Sequence, residues 1–225
     1  VGAYPGAGVN DDEVQQAWAA VANIIVDHEP VHMLCPRAQW SRAKRLVSAS
    51  VVLHEYSLND AWLRDTGPTF VVEDNNLTAV DWRFNGWGDH TAFDWQEDAA
   101  IAAFIAQQQG VTHRSSNLTN EGGGIHVDGA GTVLLTETVQ LDSQRNPNWS
   151  KAQVESEIHA QLGTDRAVWL PRGLHRDYCD HGTRGHVDIV ACFTPSGSVL
   201  LHQQPNQQHP DYPLYAIVHG LLADA

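Results

Sequence analysis

The chain has 225 residues and a net charge of −14, from 27 acids against 13 Lys and Arg, with 42% hydrophobic residues. That length can bury the core of one large domain or two small ones. The acidity excludes phosphate-backbone binding and favours cationic ligands, although it also serves plain solubility. No apolar run reaches membrane-spanning length and no leader pattern opens the chain, so neither a nucleic acid nor a membrane is an expected partner.

Cys35, Cys179 and Cys192 form an odd set without CxxC spacing, which argues against a disulfide framework and a zinc knuckle. Free thiols suit a reducing, cytoplasmic compartment. The sequence starts at Val1 rather than Met, which leaves secretion open.

The first predicted helix runs from Asp11 to Ile25 with Asn10 as N-cap. A strand at Val31–Leu34, a short helix at Trp40–Ser48 and a strand at Val51–Tyr56 follow, then the loop Asn59–Pro68. After the loop a repeat begins. Strands Thr69–Val72 and Leu77–Phe84 join at Asp74-Asn75-Asn76, a helix spans Asp94–Gln108 up to Gly110, and a strand spans Val111–Ser115. The same order recurs in Gly124–Val127, Thr132–Glu137, a Ser150–Leu162 helix with a capping box (Ser150, Gln153) and a Gly163 stop, and Arg166–Leu170. A third round has His186–Phe193, Ser198–Gln203 and a helix at Tyr212–Ala223, without a closing strand.

Units of strand, strand, helix, strand cannot bury their apolar faces alone and pack side by side around an axis. The expected fold class is α/β, a propeller-like ring of ββαβ modules, incomplete at its C-terminal end. The alternative is one mixed α/β sheet without symmetry.

The polar clusters fall at matching points of the repeat. Asp65 precedes the first unit, Glu121 and His126 open the second, and His186 and Asp188 open the third. In a strand His186 and Asp188 share a face and reach one ligand together. A guanidinium is flat, permanently charged and rich in N–H donors, and carboxylates grip it by paired hydrogen bonds. A nearby histidine can move protons to a leaving ammonia. Each residue also has a structural reading. Asp65 can pair with Arg64 or cap Thr66-Gly67, and Glu121 can bind turn amides. His126 and Asp128 can belong only to a hairpin, and His186 and Asp188 can be a satisfied pair in a sheet. A zinc or manganese site built from the two His-x-Asp pairs and Glu121 is a rival, without an HExxH motif or a cysteine pair to support it.

The segments NDAWLRDTGPTFV, WRFNGWG (Trp82 to Gly88), EGGGIHVDGAGT, TET with RNPNWSK, and GTRGHVDIVACF resemble the agmatine deiminase and Porphyromonas-type peptidylarginine deiminase family of guanidino-modifying penteins. The NDAW and WRFNGWG forms are closer to the agmatine branch. The resemblance implies five ββαβ modules around a central site, and hydrolysis of a guanidinium C–N bond through a covalent thiouronium, with ammonia released. It implies that Asp65 and Asp188 bind the guanidinium, His186 is the general acid/base, Glu121 is an acid of the substrate pocket and Trp62 is a pocket wall. No cofactor and no metal are expected. The expected partner is a small cationic guanidino substrate, agmatine or arginine-like, with homo-oligomerisation left open. The family's nucleophilic cysteine lies in a late GGGNxHC segment, and no such segment occurs here. Cys192 stands where the family has a buried strand cysteine. The sequence therefore reads as one deiminase-type domain over residues 1–225 that lacks the C-terminal modules and the nucleophile. A non-catalytic guanidine-binding remnant and a metal-dependent hydrolase are the other readings.

Overall fold

The computed structural model describes residues 11–89, 94–179 and 182–223. The predicted N-cap Asn10 lies outside them. The chain divides into two compact units, residues 1–62 with 94–98, and residues 63–93 with 99–225.

In the first unit a helix runs over Asp11–Ile25, and strands β1 (His32–Cys35) and β2 (Val52–Glu55) pair in parallel. Between the strands, a short 3-10 turn at Arg37–Gln39 leads into the helix Trp40–Leu46. The Asn23 side chain ties the two helices. Its Nδ2 donates to the Leu46 carbonyl (2.9 Å) and its Oδ1 accepts the Ser48 N–H (2.6 Å). The loop that ends this unit is fixed by acids. Asp98 accepts the N–H groups of Asn59 and Asp60 at 2.8 and 2.9 Å, and Asn59 Oδ1 accepts the Glu97 N–H at 2.8 Å. This exchange corrects the helix predicted from Asp94: regular helix starts at Ile101, after a 3-10 turn at Asp98–Ala100. Side chains and backbone of the Asn59 loop take the groups that a first helical turn would have used.

The second unit carries the repeat. Strands β3 (Thr69–Glu73) and β4 (Asn76–Arg83) form an antiparallel hairpin, with Asp74 and Asn75 both at positive φ (49° and 62°) in the turn. Residues of this type adopt such angles at low cost, and the resulting twist matches that of the strands. The helix Ile101–Gln109 follows, and β5 (Thr112–Thr119) lies parallel to β4. The next hairpin pairs β6 (Ile125–Val127) with β7 (Thr132–Thr136) around a turn in which Asp128 Oδ1 accepts the N–H groups of Ala130 and Thr132 (2.7 and 2.9 Å). The helix Lys151–Leu162 has the predicted capping box at Ser150 and Gln153 and ends at Gly163 with φ 69°. Strand β8 (Arg166–Leu170) then pairs in parallel with β7. In the third round β9 (Ala191–Phe193) pairs with β10 (Val199–Leu201), followed by the helix Tyr212–Ala223.

Strand β7 is buried on both faces. Val133 and Leu135 join a core with Val80, Trp82, Leu118, Val154 and Ile158, while Leu134 joins another with Leu170, Val187, Leu214 and Val218. Period-2 alternation thus feeds two cores from one strand.

The strand predicted over His186–Phe193 is shorter. Residues Val187–Ile189 form a 3-10 turn and only Ala191–Phe193 is strand, so His186 and Asp188 do not share a strand face. The cause is Asp177. Its carboxylate accepts the N–H groups of Thr183 (2.9 Å), Gly185 (2.6 Å) and His186 (3.1 Å) and the Thr183 hydroxyl (2.5 Å), which curls the chain before the strand begins.

Candidate active site

Three turns, each leading into the first strand of a repeat, supply the polar side chains, and all lie in the second unit. The first is the single helical turn Leu63–Thr66, which carries Asp65. Asp65 is 9% exposed, and its two oxygens accept the Trp87 indole N–H and the Gly123 N–H, each at 3.0 Å. Trp87 is itself held at φ 56° between Gly86 and Gly88, with its ring edge-on to Phe84 at 5.0 Å.

The second turn is Glu121 with the 3-10 segment Gly122–Gly124. Its glycines are required by close approach. A Cβ at Gly122 would strike the Arg64 carbonyl oxygen. One at Gly123 would strike His186 Nδ1 and come within 2.9 Å of both Asp188 Oδ2 and Asp65 Oδ1. The space in front of Gly123 is therefore shared by one imidazole nitrogen and two carboxylates, the layout that grips a planar cation beside a proton carrier.

The third turn holds His186, 4% exposed, through Asp177. Its Nε2 lies 3.1 Å from Glu121 Oε2, and its Nδ1 lies 3.8 Å from Asp65 Oδ1. Behind it stands Arg145, with a side chain wholly removed from solvent and Nε at 2.9 and 3.2 Å from the two Glu121 oxygens.

The electrostatics follow from burial and neighbours. Burial pushes the Glu121 carboxyl up, but Arg145 and His186 outweigh it and hold the group down at about 2. Burial alone would lower His186, yet the hydrogen bond to Glu121 and the charges of Asp65 and Glu121 raise it above its ordinary value. Asp65 is raised, because burial exceeds the help it receives from His186.

The structure thus brings Asp65, Glu121, His186 and Asp188 together. Glu121 has no exposed surface, and its oxygens are occupied by Arg145 and His186. Trp62 lies in the first unit and is 43% exposed. His126 lines a groove of about 380 Å³ with Arg64, Phe70, Gly122 and Ile125, and its Nδ1 accepts the Phe193 N–H (3.3 Å). Asp128 serves its own turn. Cys192 is half-buried in β9 opposite Leu200, Cys179 is exposed, and Cys35 is buried with its thiol pushed up by desolvation. Both ring nitrogens of His186 face carboxylates rather than a thiol. Among the described residues no group of three or more His, Cys, Asp or Glu side chains is placed to hold a metal ion.

Sequence reasoning missed Arg145, Trp87 and Asp177. Trp87 had a signal, an aromatic residue between two glycines. Arg145 and Asp177 act across 24 and 9 residues, and no local pattern announces either contact.

The fold is an α/β scaffold of the pentein type. Residues 4–225 match the Porphyromonas-type peptidyl-arginine deiminase family, and the chain belongs to that family. It is 49% identical to a protein of Streptomyces avermitilis described as a putative agmatine deiminase, over 99% of this chain and 67% of that one. It is 40% identical to the agmatine deiminase of Pseudomonas aeruginosa, over 88% of this chain and 54% of that one. The structure of the agmatine deiminase of Enterococcus faecalis superposes with a TM-score of 0.87 at 34% identity, over 95% of this chain and 59% of the other. The chain thus spans between about half and two thirds of these relatives' length.

Proposed function

We propose that this chain is the guanidinium-binding and proton-transfer part of a cytoplasmic agmatine deiminase, which converts agmatine and water to N-carbamoylputrescine and ammonia. The observation that carries the reading is the convergence of Asp65 Oδ1, Asp188 Oδ2 and His186 Nδ1 on the space before Gly123. The two carboxylates hold the guanidinium edges and keep its central carbon open to attack. A thiolate adds to that carbon, and His186 gives a proton to the departing nitrogen, leaving a thiouronium. Water then attacks the same carbon, His186 takes its proton, and the thiolate leaves. We place that thiol outside these 225 residues, because the three cysteines here lack a contact with His186 and the relatives are longer. Agmatine is preferred to peptidyl arginine because relatives at 40–49% identity are described as agmatine deiminases.

A chain of the relatives' length carrying this sequence should release ammonia and N-carbamoylputrescine in equal amounts from agmatine. His186→Ala or Asp188→Asn should lower kcat/KM by roughly 10²-fold or more. Citrulline from arginine without agmatine turnover would overturn the substrate, and no deimination of either would overturn the reaction. The 225-residue chain alone should release none. Release that disappears in Cys192→Ser would move the nucleophile into this chain.

A further inference from the structure

The ion pair behind the histidine makes a choice that the deiminase reading leaves unassigned: which imidazole nitrogen exchanges the proton. We propose that Arg145 is a positioning residue that fixes the tautomer of His186 through Glu121, so that neutral His186 presents an unprotonated Nδ1 to the reacting group. Its catalytic consequence rests on the deiminase reading; the tautomer itself does not.

Arg145 has no freedom to turn. Its Nε holds Glu121, its Nη1 lies 3.3 Å from Asp142 Oδ2, and its Nη2 donates to the Thr183 carbonyl at 2.8 Å. Thr183 sits in the turn that carries His186, so one guanidinium sets both the carboxylate and the backbone leading to the imidazole. A guanidinium has only donors and does not lose its charge. Beside it Glu121 stays an anion and can only accept. Oε2 is 3.1 Å from His186 Nε2, so that nitrogen must carry a hydrogen. Neutral imidazole has one N–H, and the lone pair is then at Nδ1.

Nδ1 is the nitrogen at the shared space. It faces Asp65 Oδ1 at 3.8 Å, and a Cβ on Gly123 would lie against both it and Asp188 Oδ2. The charged groups around the ring are thus Glu121 on the Nε2 side with Arg145 behind it, and Asp65 and Asp188 on the Nδ1 side. A buried ion pair such as Arg145–Glu121 adds little net stability over an apolar pair. Its consequence here is an anion of fixed position that accepts only, aimed at one imidazole nitrogen.

The test is direct observation of the tautomer in the 225-residue chain with ¹⁵N-labelled histidine, above the pH at which His186 loses its second proton. It needs neither substrate nor nucleophile. Long-range ¹⁵N–¹H correlation should show His186 with a protonated Nε2 and a bare Nδ1. In Glu121→Gln, Arg145 claims the amide oxygen and leaves the NH₂ pointing at His186. Nε2 must then accept, and the hydrogen should move to Nδ1. Adding Arg145→Met to Glu121→Gln removes the constraint on the amide, and the full reversal should be lost. A hydrogen on Nδ1 of the unmodified protein overturns the proposal without any variant, and so does an unchanged tautomer in a folded Glu121→Gln. In a chain of the relatives' length, Arg145→Met should lower kcat by roughly 10²-fold with KM unchanged, since Arg145 touches no substrate. Lack of turnover with the expected tautomers would overturn the deiminase reading and leave the role of Arg145 standing.

Discussion

The second repeat and the third are built in the same order and differ in one strand. In the second, β7 lies between β6 and β8, and Val133, Leu134 and Leu135 are wholly buried. In the third, β10 pairs only with β9 among the described residues, and Leu200 is 62% exposed. A strand with a partner on each side is a floor on which helices pack; an edge strand leaves backbone groups and side chains to solvent. The chemistry does not follow that division. The site residues of both repeats sit in the turn before the first strand, and the turn of the third is fixed by Asp177, upstream of β9 and β10. Packing in this fold therefore depends on the closing strand, while the site depends on carboxylates that gather backbone N–H groups.

The largest expected effect that tests this contrast is in hydrogen exchange. Amides of β7 should exchange about 10³-fold or more slowly than those of β10, because central strands open only with global unfolding and edges open locally. Equal protection of the two strands in a monomeric sample would show the third repeat to be complete as it stands. The helix Tyr212–Ala223 should follow β10, since Ile217 and Leu221 on it are exposed.

Side-chain truncation sharpens the same comparison. Leu134→Ala removes a wholly buried side chain and should cost about 2–5 kcal/mol in urea unfolding. Leu200→Ala, at the corresponding strand of the third repeat, should stay within about 0.5 kcal/mol. A cost above about 1.5 kcal/mol at Leu200 would mean that its surroundings are more closely packed in solution.

Much of this was legible in the sequence, for local reasons. Hairpin turns, the capping box at Ser150 and the Gly163 stop are encoded within four residues, and the period of the repeat placed Asp65, Glu121 and His186 at equivalent points. Asp188 was found for a partly wrong reason. The expected strand is a 3-10 turn, and the residue reaches the site by curvature rather than alternation. What stayed hidden was non-local. Asp98 draws backbone groups from 38 and 39 residues away and delays a helix, and Arg145 meets Glu121 across 24 residues. Side-chain bonds of that span leave no periodic trace.

The pH dependence of the Glu121–His186 contact gives a smaller effect with a defined sign. Glu121 is depressed from 4.5 to about 2, so its stabilisation is fully present above 4.5 and is lost as pH falls from there toward 2. His186 is raised from 6.5, so its stabilisation is fully present below 6.5 and is lost as pH rises through its folded value. The stability difference between the unmodified chain and Glu121→Gln should therefore be largest between about pH 4.5 and 6.5 and shrink on both sides. In the third repeat burial pushes the Asp211 carboxyl up, but Arg172, the His175 N–H and the nearby His209 outweigh it and hold the group below its ordinary value. Asp211→Asn should therefore show the same acid limb, a stability difference present above the ordinary carboxylate range and lost as pH falls through the lowered folded value, and its absence would break the comparison.

The smallest effect concerns how the two helices start. Ser150 Oγ accepts the Gln153 N–H, and Gln153 Oε1 accepts the Ser150 N–H at 2.9 Å, which satisfies donors that the first turn of the Lys151–Leu162 helix would leave open. Ser150→Ala removes half of that exchange and should cost about 1 kcal/mol, seen as a lower urea midpoint at unchanged slope. Ser150→Asp should retain most of the stability, because a carboxylate caps equally well and meets the positive end of the helix dipole. In the third repeat Asp211 stands directly before the helix Tyr212–Ala223. Its carboxylate accepts the His175 N–H and an Arg172 N–H, both at 2.8 Å. Replacing Asp211 should therefore be felt at the 171–175 segment rather than at the helix start. If hydrogen exchange in Asp211→Asn quickens first in the opening turn of that helix and leaves the His175 amide unchanged, Asp211 acts as a cap and the two helices begin alike.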